Sequence, residues 1–180
     1  MHLSGDDPMS AWREEVEANK RRLAPPGPLP LAEIADWPGE RIFAAIGAGE
    51  LPSPQFAVAA GIHPIEVGGG RAVFQGDPAE AFRNIMGAAH GGWIATLLDT
   101  ALAVAVHATL PPRMIATTVE MKVNYVAAVT EKTGPVRAIA NVLSSGRALA
   151  TAEAKLVDEA GRLYAHATET VAIVPVRAPH

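Results

Sequence analysis

One apolar run, from His90 to about Leu110, constrains the fold of this chain more than any other stretch. Nearly every residue in it is apolar or small, and Pro111 and Pro112 end it because proline lacks the backbone donor that a helix needs. A helix that is apolar on all sides is buried on all sides. The sequence therefore predicts a long central helix that the rest of the domain covers.

Asp99 lies near the middle of this predicted helix and is its single acidic residue. An unpaired carboxylate is costly to bury. Asp99 is therefore expected either to have a structural partner, such as the Thr96 hydroxyl, or to take part in chemistry.

The first turn of the predicted helix contains His90, Gly91 and Gly92. The first backbone N–H groups of a helix have no partner within it and carry the positive end of its dipole, and glycine lets another group come close. This turn is suited to binding an anion or a developing oxyanion. Asn84, in the preceding loop, is placed to donate a further hydrogen bond.

The spacing of His90 and Asp99 bears on how a site is built. They are nine positions apart, which puts them on opposite faces of one helix and roughly 13 Å apart along its axis. They cannot form a compact site within one chain. Across a two-fold axis, the start of the helix in one subunit can face Asp99 in the other. We therefore hypothesise an obligate dimer with two shared sites.

Two motifs carry a resemblance to a known family. The first is Asn84-x-x-Gly87-x-x-His90-Gly91-Gly92-x-x-x-x-Leu97-x-Asp99, and the second is the run Thr117–Tyr125, with Lys132–Ala138 after it. They resemble the signature of hotdog-fold acyl-CoA thioesterases of the PaaI type, in the 4-hydroxybenzoyl-CoA thioesterase superfamily, over roughly Phe56 to Val174. The resemblance implies hydrolysis of acyl-CoA, with CoA as part of the substrate and no metal or redox cofactor.

The resemblance also implies roles for single residues. The acidic residue at the position of Asp99 acts as nucleophile or as general base on water, and both roles need it ionised. The Gly91 N–H is expected to bind the thioester oxygen, and Asn84 to polarise the carbonyl or place the water. His90 is expected to orient the loop that carries Asn84. Thr118 is expected to assist the water; its neighbour on the strand then faces away.

Two other functions stay open on the sequence. A dimeric acyl-CoA-binding module without turnover would keep the same fold. A hotdog hydratase or dehydratase would pair an acid with a histidine in a constellation that this chain does not show. The acyl group (aryl, medium-chain or long-chain) and the choice between a dimer and a dimer of dimers are likewise open.

Composition narrows the class of protein. The formal net charge of −4 gives no support to nucleic-acid binding, and the absence of cysteine excludes a thiol nucleophile and a cysteine zinc site. The N-terminal residues lack the order of a secretory signal, and mid-helix Asp99 argues against a membrane span. We expect a soluble cytoplasmic protein with no nucleic-acid or membrane partner.

The remaining segments predict an α+β hotdog fold, an antiparallel sheet of about six strands wrapped around the long helix. The predicted strands are 57–67, 71–75, 114–126, 136–143, 147–157 and 163–175. The fifth has one face of small residues, which lets a helix lie close to the sheet. Residues 1–55 are expected to form a helical, proline-rich extension, 56–176 the hotdog domain and 177–180 a tail. The extension is expected to pack on the core or on a neighbouring subunit, or else to cover the acyl pocket.

Overall fold

A computed structural model describes residues 8–176 of the chain. Its helices are α1 (Pro8–Arg22), α2 (Leu31–Ile34), α3 (Gly39–Ala48), α4 (Gln55–Ala59) and α5 (Gly91–His107). Its strands are β1 (Ala24–Pro26), β2 (Pro52–Ser53), β3 (Ile62–Gly68), β4 (Arg71–Gly76), β5 (Met114–Tyr125), β6 (Val136–Ser145), β7 (Leu149–Val157) and β8 (Leu163–Pro175). The predicted tail, 177–180, and the first seven residues of the predicted extension lie outside the described residues.

Six strands form one antiparallel sheet around α5, in the order β3-β4-β6-β7-β8-β5. The helix is buried as its composition predicts, and Leu97, Leu98 and Leu102 have no exposed surface. On β7 the alanines at 150, 152 and 154 are buried, whereas Thr151 and Lys155 on the other face are exposed. The α+β fold with a central helix and a helical N-terminal extension is therefore confirmed.

A glycine at the end of β4 lets α5 approach the sheet closely. A Cβ atom added to Gly76 would lie 2.6 Å from Cζ2 of Trp93 and 3.2 Å from Cδ2 of Leu97. Trp93 is itself held in place, because its Nε1–H donates to the Ala60 carbonyl at 2.8 Å. The first two turns of α5 are therefore fixed against β4.

The prediction of a strand at 57–67 is wrong in its first half. Residues 55–59 form α4, and the strand begins only at Ile62. Pro54 provides the extended N-cap of this short helix, and Gly61 follows it with a φ of 68°, a left-handed conformation that glycine adopts readily. The apolar run at 56–60 thus belongs to a helix that packs beside the start of α5. The proline-rich extension also contains two short strands, since β1 pairs in parallel with β2.

The N-terminal helices cover two parts of the core. Helix α1 lies on the face of the sheet opposite α5, where Gln75 Nε2 donates to the Trp12 carbonyl at 3.1 Å and the Arg137 guanidinium stacks 4.0 Å from the Trp12 ring. Helix α3 packs at the far end of α5, with the Phe43 and His107 rings edge to face at 5.5 Å. In the described part of the chain, no helix is long and apolar enough to cross a membrane.

Candidate active site

The start of α5 presents one free backbone donor. His90 is the N-cap residue, and its Nδ1 accepts a hydrogen bond from the Gly92 N–H at 3.0 Å. A ring nitrogen that accepts carries no proton, so the neutral His90 holds its proton on Nε2. Within residues 8–176 the Gly91 N–H has no acceptor. His90 therefore satisfies one of the first N–H groups of the helix and leaves the other available.

Tyr125, at the end of β5, lies against this turn. Its hydroxyl donates to the Gly91 carbonyl at 2.9 Å, and a Cβ atom added to Gly91 would lie 3.4 Å from the tyrosine oxygen. Tyr125 ends the motif Thr117–Tyr125, and the sequence alone predicts no role for it. The sequence feature that could have indicated a role for Tyr125 is its position as a large aromatic residue at the end of a predicted strand.

Asn84 organises the loop before α5. Its Oδ1 accepts from the backbone N–H groups of Met86 at 2.9 Å and Ala88 at 3.2 Å. Only the oxygen of an amide can accept two such bonds, so the NH₂ group points elsewhere, and it has no acceptor among the described residues. Asn84 thus fixes its own loop and keeps a donor free. The loop exposes Ile85 and Met86 almost completely.

A cavity of about 360 Å³ opens beside the start of α5. Its walls are mainly apolar side chains from α4, the loop after β4 and α5, with polar groups at its rim. The lining residues include Phe56, Ala60, Phe82, Arg83, His90, Gly92, Trp93 and Thr96. Asp99 does not line this cavity.

Asp99 belongs to a second group of polar side chains, further along α5. Thr118, from β5, donates from Oγ1 to Asp99 Oδ1 at 3.1 Å. The Thr96 hydroxyl donates instead to the Gly92 carbonyl at 2.9 Å, because one helical turn separates the two groups. Of the two alternatives given for Asp99, structural pairing with the Thr96 hydroxyl is therefore not the one that the structure shows.

Glu169 is the residue of this second group that the sequence analysis missed. Thr118 Oγ1 lies 2.7 Å from Glu169 Oε1, and Glu169 is 1% exposed. Burial raises the pKa of Glu169 to about 7; the bond from Thr118 opposes this rise, and the charges of Asp99 and Glu120 add to it. The signal is in the alternation of β8, where Glu169 shares a face with buried Ala165, Ala167 and Val171.

A β-bulge in β5 makes this arrangement possible. Thr118 pairs with Val171 and Glu120 with Thr170, so Val119 is an extra residue in the strand. Beyond it, Met121 packs against the core while Val119 is 59% exposed. A regular strand would put Val119 and Met121 on one face, and the bulge places them on different faces.

The predicted site residues thus fall into two groups. Asn84, His90 and Gly91 lie at or just before the start of α5, where His90 lines the cavity, whereas Asp99 and Thr118 lie further along the helix. Within one chain the structure does not bring the free Gly91 N–H and the Asp99 carboxylate into one pocket.

Comparison with known proteins identifies the family. The thioesterase superfamily model matches residues 86–165. A conserved protein from Pseudomonas aeruginosa is 30% identical, over 68% of this chain and 95% of that one, with a TM-score of 0.64. An asparagine-to-aspartate mutant of the phenylacetic acid degradation protein PaaI from Thermus thermophilus is also 30% identical, over 65% and 96% of the two chains, with a TM-score of 0.59. This chain belongs to the PaaI-type hotdog thioesterases.

The extent of each match shows which parts of this PaaI-type thioesterase are shared with its relatives. A phenylacetic acid degradation-related protein from Ralstonia eutropha is 26% identical, over 72% of this chain and 98% of that one, with a TM-score of 0.67. No curated protein matches the chain. The superfamily match at 86–165 contains His90, Gly91, Asp99 and Thr118, but it ends before Glu169.

Proposed function

We propose that this PaaI-type thioesterase hydrolyses acyl-CoA thioesters at sites shared by two copies of the chain. The observation that carries the proposal is the separation of its polar groups. His90 and Gly92, on either side of the free Gly91 N–H, line an apolar cavity, and the Asp99 carboxylate lies further along α5, outside that cavity. The N–H group can bind the carbonyl oxygen of a thioester, and the carboxylate can supply the attack on its carbon.

The start of α5 supports binding of the thioester carbonyl. The Gly91 N–H has no protein acceptor among residues 8–176 and lies at the positive end of the helix dipole. Together with the Asn84 NH₂ group, it offers donors to the oxygen on which negative charge develops. The adjoining cavity, walled by Phe82 and Trp93, suits an apolar acyl group.

Asp99 of the second copy supplies the attack. As general base, it takes a proton from water while the water oxygen bonds to the thioester carbon. The carbon–sulfur bond then breaks, and the departing sulfur takes that proton from Asp99 and leaves as the CoA thiol. As nucleophile, an Asp99 oxygen bonds to the thioester carbon while the carbon–sulfur bond breaks and CoA thiolate leaves. Water then adds to the resulting anhydride, which restores the Asp99 carboxylate and releases the acid, and the thiolate takes a proton from that water. In both routes the Thr118 hydroxyl, 3.1 Å from Asp99 Oδ1, holds the carboxylate in place.

The edge of the sheet at β5 supports the pairing of two copies. β5 is twelve residues long, pairs with β8 on one side, and has no neighbouring strand on the other within residues 8–176. It exposes Val119 and Tyr125 by more than half. An open edge of this length is prone to pair with another chain. Antiparallel pairing of two β5 strands would set the two α5 helices side by side, each start near the other's Asp99.

Release of free thiol from a panel of aryl- and alkyl-CoA thioesters tests the proposal. Wild type is compared with Asp99→Asn, which keeps the shape of the side chain but not its charge, and with Asp36→Asn, which changes an exposed aspartate. We expect turnover by wild type and Asp36→Asn and a loss of about 100-fold or more in Asp99→Asn. Turnover by Asp99→Asn close to wild type would contradict the mechanism. Binding of acyl-CoA without thiol release by wild type would indicate a binding module instead.

A further inference from the structure

The contacts of the Thr118 hydroxyl indicate a second proton. Its Oγ1 lies 3.1 Å from Asp99 Oδ1 and 2.7 Å from Glu169 Oε1. A hydroxyl has one proton to donate, and an ionised carboxylate can only accept. If both carboxyl groups were ionised, one of the two contacts would bring oxygens together without a hydrogen between them. Each contact is a full hydrogen bond only when one carboxyl group donates to Thr118 while Thr118 donates to the other.

The surroundings of the two carboxyl groups differ. Glu169 is 1% exposed, and its Oε2 has no hydrogen-bond partner in the described part of the chain. The charges that act on it are those of Asp99 on α5 and Glu120 on β5, both acidic, while β7 opposes it with Ala152. Asp99 is only partly buried. An anion at Glu169 would thus be poorly solvated and close to other anions, whereas the Asp99 carboxyl group is within reach of water.

We propose that Glu169 is a positioning residue that stays a neutral carboxylic acid in the working enzyme, donating to Thr118 Oγ1 so that the Thr118 proton is directed at Asp99 Oδ1. This inference rests on the proposed function, because it assigns the reaction to Asp99. The short chain of hydrogen bonds fixes one oxygen of Asp99. The other oxygen is then left to meet water or substrate.

A consequence is that activity depends on the proton of Glu169. Burial holds its pKa near 7. When the pH rises above that value, the donor to Thr118 is lost, and a second anion appears beside Asp99. The kcat of wild type should therefore fall by up to about tenfold per pH unit above about 7.

Two substitutions of Glu169 distinguish the effect of its hydrogen-bond donor from the effect of its titration. Glu169→Gln keeps a donor of the same size that does not titrate, and Glu169→Met keeps the size without a donor. Glu153→Gln, an outward-facing change on β7, is the matched control. We expect Glu169→Gln to lose the alkaline fall, and Glu169→Met to have a kcat about tenfold or more below that of Glu169→Gln at pH 6 with little change in KM. Glu153→Gln should keep the wild-type pH profile.

Infrared spectroscopy tests the proton itself without reference to turnover. We expect the carbonyl stretch of a protonated carboxyl group at pH 6, diminished at pH 8.5 and missing in Glu169→Gln, with thermal unfolding to verify that each variant is folded. The proposal is overturned if Glu169→Gln keeps the infrared band or keeps the fall in kcat at alkaline pH. It is also overturned if Glu169→Met is folded and has the same kcat as Glu169→Gln at pH 6. Absence of thiol release by wild type would instead refute the proposed function, and the infrared band would still decide whether Glu169 is protonated.

Discussion

Glu169 links the stability of the folded chain to pH. It is 1% exposed, and burial raises its pKa from the usual 4.5 to about 7. The folded state therefore holds this proton more tightly than the unfolded chain does. As the pH rises from about 4.5 to about 7, stability falls, and above that range the contribution of Glu169 is constant. At about 1.4 kcal/mol per pH unit, the loss amounts to about 3 kcal/mol.

Glu169→Gln should remove this dependence on pH. Relative to wild type, we expect the variant to gain about 3 kcal/mol in free energy of unfolding between pH 4.5 and pH 8, because only wild type has to ionise a buried group. Urea unfolding of both proteins across this range, at equal protein concentration, measures the difference. A difference between the two proteins that stays constant with pH would show that Glu169 does not titrate in the folded state.

Some residues of the candidate site can be predicted from the sequence, and others cannot. Asp99 stands out because a carboxylate interrupts an apolar helix, and Gly91 because two glycines begin that helix. Nothing in the local sequence distinguishes Glu169 from the other charged residues of the predicted strands. Its importance depends on Thr118, 51 positions away, and on the bulge that sets the register between their strands. Such a contact follows from sheet pairing, which local patterns do not encode.

The packing of α5 on β4 depends on the absence of a side chain at Gly76. Gly76→Ala would place a Cβ atom 2.6 Å from the Trp93 ring, which is held by its bond to the Ala60 carbonyl. We expect a loss of about 1–3 kcal/mol in free energy of unfolding, as in other overpacked cores. Denaturant unfolding measures it.

Gly47→Ala is the matched control for this change. Gly47 lies inside α3 and has open space where a Cβ atom would go. Alanine is the better helix former, so we expect a gain of up to about 1 kcal/mol. Equal effects of the two substitutions would contradict the view that close contact with Trp93 sets the cost at Gly76.

Elements are predicted well where a periodic pattern is long. The central helix and the later strands follow from apolar runs bounded by proline and glycine. The exceptions are short. Helix α4 has five residues, too few to show helical periodicity, and the bulge at Val119 adds one residue to an otherwise regular strand. These two exceptions lie next to the candidate site, where they set the cavity wall and the orientation of Thr118.

For the whole molecule, the open edge of β5 and the divided site suggest the same partner, a second copy of the chain. The strand that exposes its edge also carries Thr118 and Tyr125, which contact Asp99 and the Gly91 carbonyl respectively. Any chain that pairs with this edge therefore lies close to both groups. A second copy in antiparallel pairing would supply the missing half of each site by symmetry.

Mixed dimers of two inactive variants can decide whether the site is shared. Asn84→Asp keeps an oxygen for the Met86 and Ala88 N–H groups but lacks the NH₂ donor, and Asp99→Asn removes the carboxylate. If each site takes Asn84 from one copy and Asp99 from the other, a dimer with one variant of each kind has one intact site and one site with both changes. Co-expression with two different tags isolates this mixed dimer, and we expect about half of the wild-type rate of thiol release per dimer. If the site lay within one chain, each site of the mixed dimer would have one change, and its rate would be no higher than that of the two parent variants.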